Sequence, residues 1–281
     1  MDFKNYSYVD NKVVVKKIKN FVLPHIFENG QCFRWQKTDI GTYIIVAKNR
    51  VIELELQGED LIIHNSNIED FENIWIEYFD LERDYNSLKM SLKKDEYLVK
   101  AIEFGDGLRM LNQDPFEMII SFIISSNNRI PMIKKAINNI SEKFGECTSY
   151  KGDKYYFFPT LENLSSVTQE EFKACSVGFR DKYLFNTIKM LNECNDIEQI
   201  MSLSDDECHK ELQKFPGIGS KVSDCIMLFS MKKYSAFPVD VWVKRAMMKF
   251  YVAPDTSLKK IRDFGRSLFK DLGGFAQQYL F

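Results

Sequence analysis

The alternation of hydrophobic and polar positions changes rhythm about a third of the way along the chain. Residues 43–64, YIIVAKNRVIELELQGEDLIIH, run in short, β-branched, alternating stretches. Turn-forming residues break them at Lys48-Asn49-Arg50 and at Gly58-Glu59-Asp60. Alternation interrupted in this way predicts an antiparallel meander, and residues 1–100 read as mostly strand. FENIWIEYFD then opens a mixed segment. From about residue 101 the period lengthens. PFEMIISFIISS, residues 115–126, is apolar on all sides and starts with Pro115, which predicts a buried helix. In residues 132–145, Ile133, Ala136, Ile137 and Ile140 fall on one stripe, and Gly145 closes it. FNTIKMLNEC, DDECHKELQKF and SKVSDCIMLFSM show similar periods. The expected fold class is α+β. An antiparallel β-rich domain over residues 1–100 precedes an all-helical region over residues 101–281, which has room for two lobes.

Composition agrees with this division. At about 150 residues per domain, 281 residues make about two domains. A 45% hydrophobic and 28% charged chain is an ordinary globular one, which argues against disorder and fibrous repeats. No apolar run approaches the roughly 18 residues of a membrane span. The basic start MDFKNYSYVDNKVVVKKIKN lacks the apolar core of a secretion signal. Cys32, Cys147, Cys175, Cys194, Cys208 and Cys225 form no C-x-x-C pair, which reads as reduced thiols in a cytoplasmic protein. His25, His64 and His209 stand at no ligand spacing, so no metal site is expected.

The formal net charge of −2 speaks against nucleic acid only until it is divided. Residues 1–50 hold nine Lys/Arg against four Asp/Glu, a net of +5. Residues 51–100 hold five against thirteen, a net of −8, and residues 244–271 hold eight against three, again +5. Two basic stretches around an acidic one leave room for a basic surface that the total conceals.

The sharpest local feature lies between two predicted helices, in Leu212-Gln213-Lys214-Phe215-Pro216-Gly217-Ile218-Gly219-Ser220-Lys221. Gly217 and Gly219 permit a tight turn and close backbone approach. The second helix begins with unpaired amides and the positive end of its dipole, a seat for phosphate that needs no side-chain charge. A plain helix–turn–helix connection explains the loop equally well. Lys221 falls in the first turn of the second helix, and Cys225 shares its face. Lys221 could simply be solvated and paired with Asp224 at i+3. Alternatively, the helix end and partial burial make its amine a nucleophile. Nineteen residues on, Asp240 in Phe237-Pro238-Val239-Asp240 is a credible N-cap that could also stabilise a developing cation.

A helix, Pro-Gly-x-Gly-Ser-Lys, a spacer and Val-Asp together resemble the helix-hairpin-helix DNA glycosylases. Four further segments resemble the 8-oxoguanine DNA glycosylase family in particular, and they occur in that family's order. They are Gly30-Gln31-Cys32-Phe33-Arg34-Trp35, Gly107-Leu108-Arg109 with Gln113-Asp114-Pro115, Ser125-Ser126-Asn127-Asn128, and Gly274-Phe275-Ala276-Gln277 through Phe281. The last cysteine, Cys225, precedes Asp240, so the four-cysteine iron–sulfur cluster of two sister branches has no ligands here.

The resemblance implies a helix-hairpin-helix at about residues 205–231 and a bifunctional DNA glycosylase and lyase acting on duplex DNA with oxidised guanine. In that scheme Lys221 attacks C1′ and Asp240 assists. Gly30, Cys225, Gln277 and Phe281 would hold the extruded base, with the Gly30 carbonyl accepting the N7–H that guanine lacks. Gly217 and Gly219 would meet the backbone. Asn127 would fill the gap left by the base, and Arg180 would reach the partner base. No cofactor is required, although family members can hold a monovalent cation on carbonyls matching Gln213, Phe215 and Ile218. A monomer is expected. Three positions depart from the pattern of eukaryotic members: Met132 replaces an arginine facing the partner cytosine, Phe179 a tyrosine, and Trp242 a histidine. Losing a guanidinium removes a reader of cytosine, so relaxed opposite-base preference is expected. An alkylated-base glycosylase of the same superfamily and a non-catalytic DNA-binding module are the alternatives. Lys221 with Asp240 speaks against the module, and Lys221, Cys225 and the Gly30 segment against the alkylated-base enzyme.

Overall fold

The computed structural model describes residues 1–193 and 196–281, so Cys194 lies outside the described residues. Six strands, β1 (Asn5–Val9), β2 (Lys12–Lys16), β3 (Trp35–Lys37), β4 (Tyr43–Ala47), β5 (Arg50–Gln57) and β6 (Asp60–His64), form one antiparallel sheet. Their order is β1-β2-β6-β5-β4-β3. The expected meander is β4-β5-β6. Lys48 and Asn49 turn its first corner with φ of 50 and 54°, the left-handed pair that a two-residue hairpin needs. Arg50 and Asp60 belong to strands rather than to turns. The pairings Tyr43↔Leu54, Ile45↔Ile52 and Leu54↔Ile63 put these side chains on one buried face.

Strand structure stops at His64, well short of residue 100. Residues 68–104 are instead a series of helical segments, ending in helices Tyr85–Leu92 and Glu96–Phe104. Phe71, Trp75, Tyr78 and Phe79 explain the difference. They recur at helical spacing and pack on the inner face of the sheet, in one core with Tyr43, Ile52 and Leu54.

The helical region also departs from expectation, because it contains a hairpin. Strands β7 (Cys147–Tyr150) and β8 (Asp153–Tyr156) turn at Lys151-Gly152, both with positive φ. The hairpin leans on the large sheet. Tyr150 Oη and Lys151 Nζ donate to the buried carboxylate of Glu53 at 2.7 and 2.5 Å, and Thr42 Oγ1 donates to it at 2.6 Å.

The predicted helices are present as Pro115–Ser125, Ile130–Phe144, Asp181–Glu193, Asp205–Leu212 and Ser220–Ser230. Pro115–Ser125 is buried continuously from Met118 to Ile124, as its all-round hydrophobicity requires. The main helical core joins Leu98 and Ile102 to Phe122, Ile226, Phe229 and Phe275. A smaller cluster of Phe237, Val239, Val243, Met247 and Ile261 ties helix Val241–Phe250 to helix Leu258–Phe269. Among the described residues, no helix is long and apolar enough to cross a membrane.

Sheet domain and helical region are stitched together by polar side chains. The fully buried Gln31 donates to the carbonyls of Ile26 and Arg109 and accepts from the Leu111 amide, all within 2.9 Å. Gln113 donates to the Gln31 carbonyl at 2.7 Å. Arg109, also fully buried, pairs with Asp2 at 2.9 Å and bonds the carbonyls of Phe79 and Lys19.

Candidate active site

Those stitches set the place of Gly30. Immediately before the clamped Gln31, Gly30 has φ +79°, where a side chain would strain the backbone. A methyl group added there would lie 4.0 Å from the Phe281 ring. Gly30 and Phe281 therefore face each other across one cavity of about 290 Å³, whose walls also include Lys221, Cys225, Asp240 and Gln277. All six residues expected to carry the chemistry or hold the base thus line one space, although they span residues 30 to 281.

Each is placed by its own element. Gly217, with φ +85°, turns the chain so tightly against Tyr183 that a methyl group would stand 2.7 Å from that ring. Gly219 then caps helix Ser220–Ser230 in an extended conformation, with nothing within 4 Å of where a side chain would begin. The amide end of the helix is therefore open to an approaching anion. Lys221 is exposed in the first turn, with Nζ 5.5 Å from the centre of the Phe122 ring. The partial burial expected of it is not present. Nor does it pair with Asp224, which is fully buried and gripped by Arg262 at 2.6 and 2.8 Å.

Cys225 sits one turn beyond Lys221 at 3% exposure, and burial pushes its thiol upward while the neighbouring Lys221 pulls the other way. It is thus an uncharged wall of the cavity at neutral pH. Asp240 caps helix Val241–Phe250, accepting from the Val243 amide at 2.7 Å through Oδ1. Among the described residues its Oδ2 accepts no hydrogen bond, so capping and a role at the cavity are compatible. The last helix, Gly273–Leu280, packs so closely on helix Ser220–Ser230 that a methyl group on Gly274 would meet Leu228 at 2.1 Å. This contact brings Gln277 and Phe281 beside Cys225.

The six residues expected at the DNA surface lie outside the cavity wall. Asn127 is exposed, with φ +51° in the turn after helix Pro115–Ser125. Met132 and Phe179 are exposed at 44 and 58%, consistent with surface positions. Arg180 differs from expectation. Its guanidinium is buried and turned inward, donating to the carbonyls of Ser126, Asn127 and Val177. It braces the Asn127 turn rather than projecting from it, supplying donors to three backbone carbonyls.

Sequence reasoning missed other parts of the wall. Phe33, Phe122 and Phe229 supply aromatic and apolar surface, and Trp242 lines the mouth at 60% exposure. Gln278 also lines it, donating from Nε2 to Gln277 Oε1 at 3.0 Å. Periodicity marks such positions only as apolar or polar, so nothing in the sequence alone distinguishes them from core.

Comparison with known proteins is consistent along the chain. Residues 13–119 match the 8-oxoguanine DNA glycosylase N-terminal domain, and residues 120–270 match the HhH-GPD superfamily of base excision DNA repair proteins. The N-glycosylase/DNA lyase OGG1 of Arabidopsis thaliana is 32% identical over 92% of this chain and 76% of its own. The N-glycosylase/DNA lyase of Saccharomyces cerevisiae is 29% identical over 91% and 75%. The crystal structure of Clostridium acetobutylicum 8-oxoguanine glycosylase/lyase, bound to duplex DNA with cytosine opposite 8-oxoguanine, is 56% identical. It superposes with a TM-score of 0.98 over 100% of this chain and 97% of that one. The chain belongs to the 8-oxoguanine DNA glycosylase family, within the HhH-GPD superfamily of base-excision repair proteins.

Proposed function

We propose that this enzyme excises 8-oxoguanine from duplex DNA and then cuts the strand at the resulting site. The observation that carries this reading is the convergence of Lys221, Asp240, Gly30, Cys225, Gln277 and Phe281 on one cavity. The target nucleotide must leave the stack to enter it, at a cost of a few kcal/mol. The Lys221 amine attacks C1′, the glycosidic bond breaks, and the base departs with its electron pair and takes up a proton. One proton leaves the attached nitrogen and O4′ takes up a proton as the C1′–O4′ bond breaks and the ring opens, giving a protonated Schiff base at C1′. Loss of a C2′ proton then expels the 3′ phosphate. Asp240 stabilises the positive charge that builds on the sugar and relays protons, its free Oδ2 being the oxygen available for both. The Gly30 carbonyl reads the base by accepting from the N7–H of 8-oxoguanine, where guanine presents an acceptor. Such a mismatch is worth about 1–3 kcal/mol. Gln277 reads the Watson–Crick edge.

The hairpin suits a monovalent cation. Among the described residues the carbonyls of Gln213 and Ile218 accept no hydrogen bond, while that of Phe215 accepts from the Ile218 amide at 3.1 Å. These oxygens would hold a hard cation, which would fix the turn and add positive charge toward a phosphate. Glycosidic cleavage is assigned to Lys221 and Asp240 without further cofactor. One chain supplies all six cavity residues, so a monomer suffices for the reaction. Free thiols at Cys32, Cys147, Cys175, Cys208 and Cys225 support a reducing, cytoplasmic setting.

Preference for the base opposite the lesion is relaxed. Met132 offers no hydrogen-bond donor, and Arg180 is spent on its own backbone. Base release measured on 8-oxoguanine duplexes with C, A, G or T opposite tests both parts of this reading. Release of 8-oxoguanine, with rates within about tenfold of one another, is expected. Release of alkylated purines alone would overturn the substrate, and a cytosine preference of about a hundredfold or more, some 2.7 kcal/mol of discrimination, would overturn the relaxed preference.

A further inference from the structure

Asp224 is the natural ion-pair partner of Lys221, three residues along the same exposed helix start, yet it is fully buried and engaged elsewhere. Arg262, from helix Leu258–Phe269, holds both of its oxygens, with Nε to Oδ2 at 2.6 Å and Nη2 to Oδ1 at 2.8 Å. On its other side stands His209, from helix Asp205–Leu212, with Nε2 3.5 Å from Oδ1. Burial lowers the basicity of His209, so it faces Asp224 mainly as a neutral ring. Of the other charges nearby, Arg266 pairs with Asp206 at 2.6 Å and Asp263 with Lys259 at 2.8 Å, while Lys210 on the same cavity wall makes no ion pair among the described residues. Lys221, Asp224 and Arg262 nevertheless line a common cavity of about 520 Å³, which shares Lys221 with the base pocket. Arg262 and, less closely, His209 therefore hold back a carboxylate that stands at ordinary helical spacing from the amine.

We infer that Arg262 is a positioning residue that sequesters Asp224 and so keeps the Lys221 amine without a carboxylate partner. Among the described residues Lys221 makes no ion pair; its neighbours are the Phe122 ring, the uncharged Cys225 thiol and, across the base cavity, Asp240. A carboxylate freed beside Lys221 would favour the ammonium, which cannot attack C1′. The bidentate fork of Arg262 fits the task of holding Asp224 better than a flexible ammonium would.

The proposal rests on Lys221 as the nucleophile, and loss of trapping in Lys221→Gln establishes that part without reference to pH. The test is the pH profile of borohydride trapping on 8-oxoguanine duplex, together with thermal melts. In Arg262→Gln the acidic limb moves to higher pH by about one unit, because Asp224 is released toward the amine. In Asp224→Asn it moves to lower pH, because Arg262 is left as an uncompensated cation. The double variant Arg262→Gln/Asp224→Asn, lacking both charges, returns the limb to its original position. A structural role alone would lower trapping in all three without moving the limb, and that outcome overturns the proposal. So do shifts of the two single variants in the same direction. Should Arg262→Gln fail to fold, the downward shift in Asp224→Asn and its reversal in the double variant decide the matter, and absence of that shift overturns it.

Discussion

In the proposed function, discrimination falls to the Gly30 backbone carbonyl, which no side-chain substitution at neighbouring positions can imitate. Its φ of +79° means that a Gly30→Ala variant must strain or shift that carbonyl. Backbone strain of about 1–3 kcal/mol is enough to misplace it. Excision of 8-oxoguanine by Gly30→Ala should fall about tenfold or more, while cleavage at a preformed abasic site stays near its original rate. Single-turnover rates on the two substrates check this, and an equal loss on both would show that Gly30 serves only the fold. At this scale the sequence was informative wherever a residue type had few structural uses: a lysine in a first turn, an aspartate before a helix, glycines in a hairpin. It was silent on Arg262, and Arg180, expected at the partner base, turns inward to backbone carbonyls instead. An arginine looks alike in sequence whether it reaches for a ligand or binds carbonyls behind it, and Arg262 and Asp224 meet across 38 positions.

Among the elements, period and turn chemistry located the β4-β5-β6 meander, the buried helix Pro115–Ser125 and the two helices of the hairpin. They failed where tertiary packing decided. Phe71, Trp75 and Tyr78 stand at helical spacing, but the segment is short and aromatic-rich, and only the sheet they cover makes the helical pattern decisive. The β7–β8 hairpin has four-residue strands, too short to show a period, and is held by Glu53 from another part of the chain. The bonds that Lys151, Thr42 and Tyr150 donate hold the Glu53 carboxyl down at about 2 against the opposing effect of burial. Because the folded value lies below the unfolded one, the stabilisation is complete above about pH 5 and fades as pH falls toward 2. Glu53→Gln should therefore cost about 2 kcal/mol at pH 7 and progressively less in acid. Denaturant melts of both proteins from pH 7 to pH 3 measure this, and a difference that does not shrink would place the hairpin's anchorage elsewhere.

For the whole molecule, a net charge of −2 is compatible with a DNA enzyme because basic segments flank an acidic one and because helix amides attract phosphate without counting as charge. Affinity for undamaged duplex should fall at least about tenfold between about 50 and 200 mM salt, as phosphate contacts release counterions. Excision at saturating enzyme should change little over the same range, since the base cavity, not bulk charge, carries the specificity. Fluorescence anisotropy and single-turnover kinetics separate the two, and affinity independent of salt would contradict this picture. The architecture sets a loop of the sheet domain, carrying Gly30, against helices that carry Lys221 and Asp240, and the proposed chemistry centres on Lys221. Borohydride trapping on duplex DNA containing 8-oxoguanine tests that most directly. The wild-type chain should form a covalent adduct, and Lys221→Gln, folded and still able to bind duplex, should form none; an adduct that persists in Lys221→Gln would contradict the account.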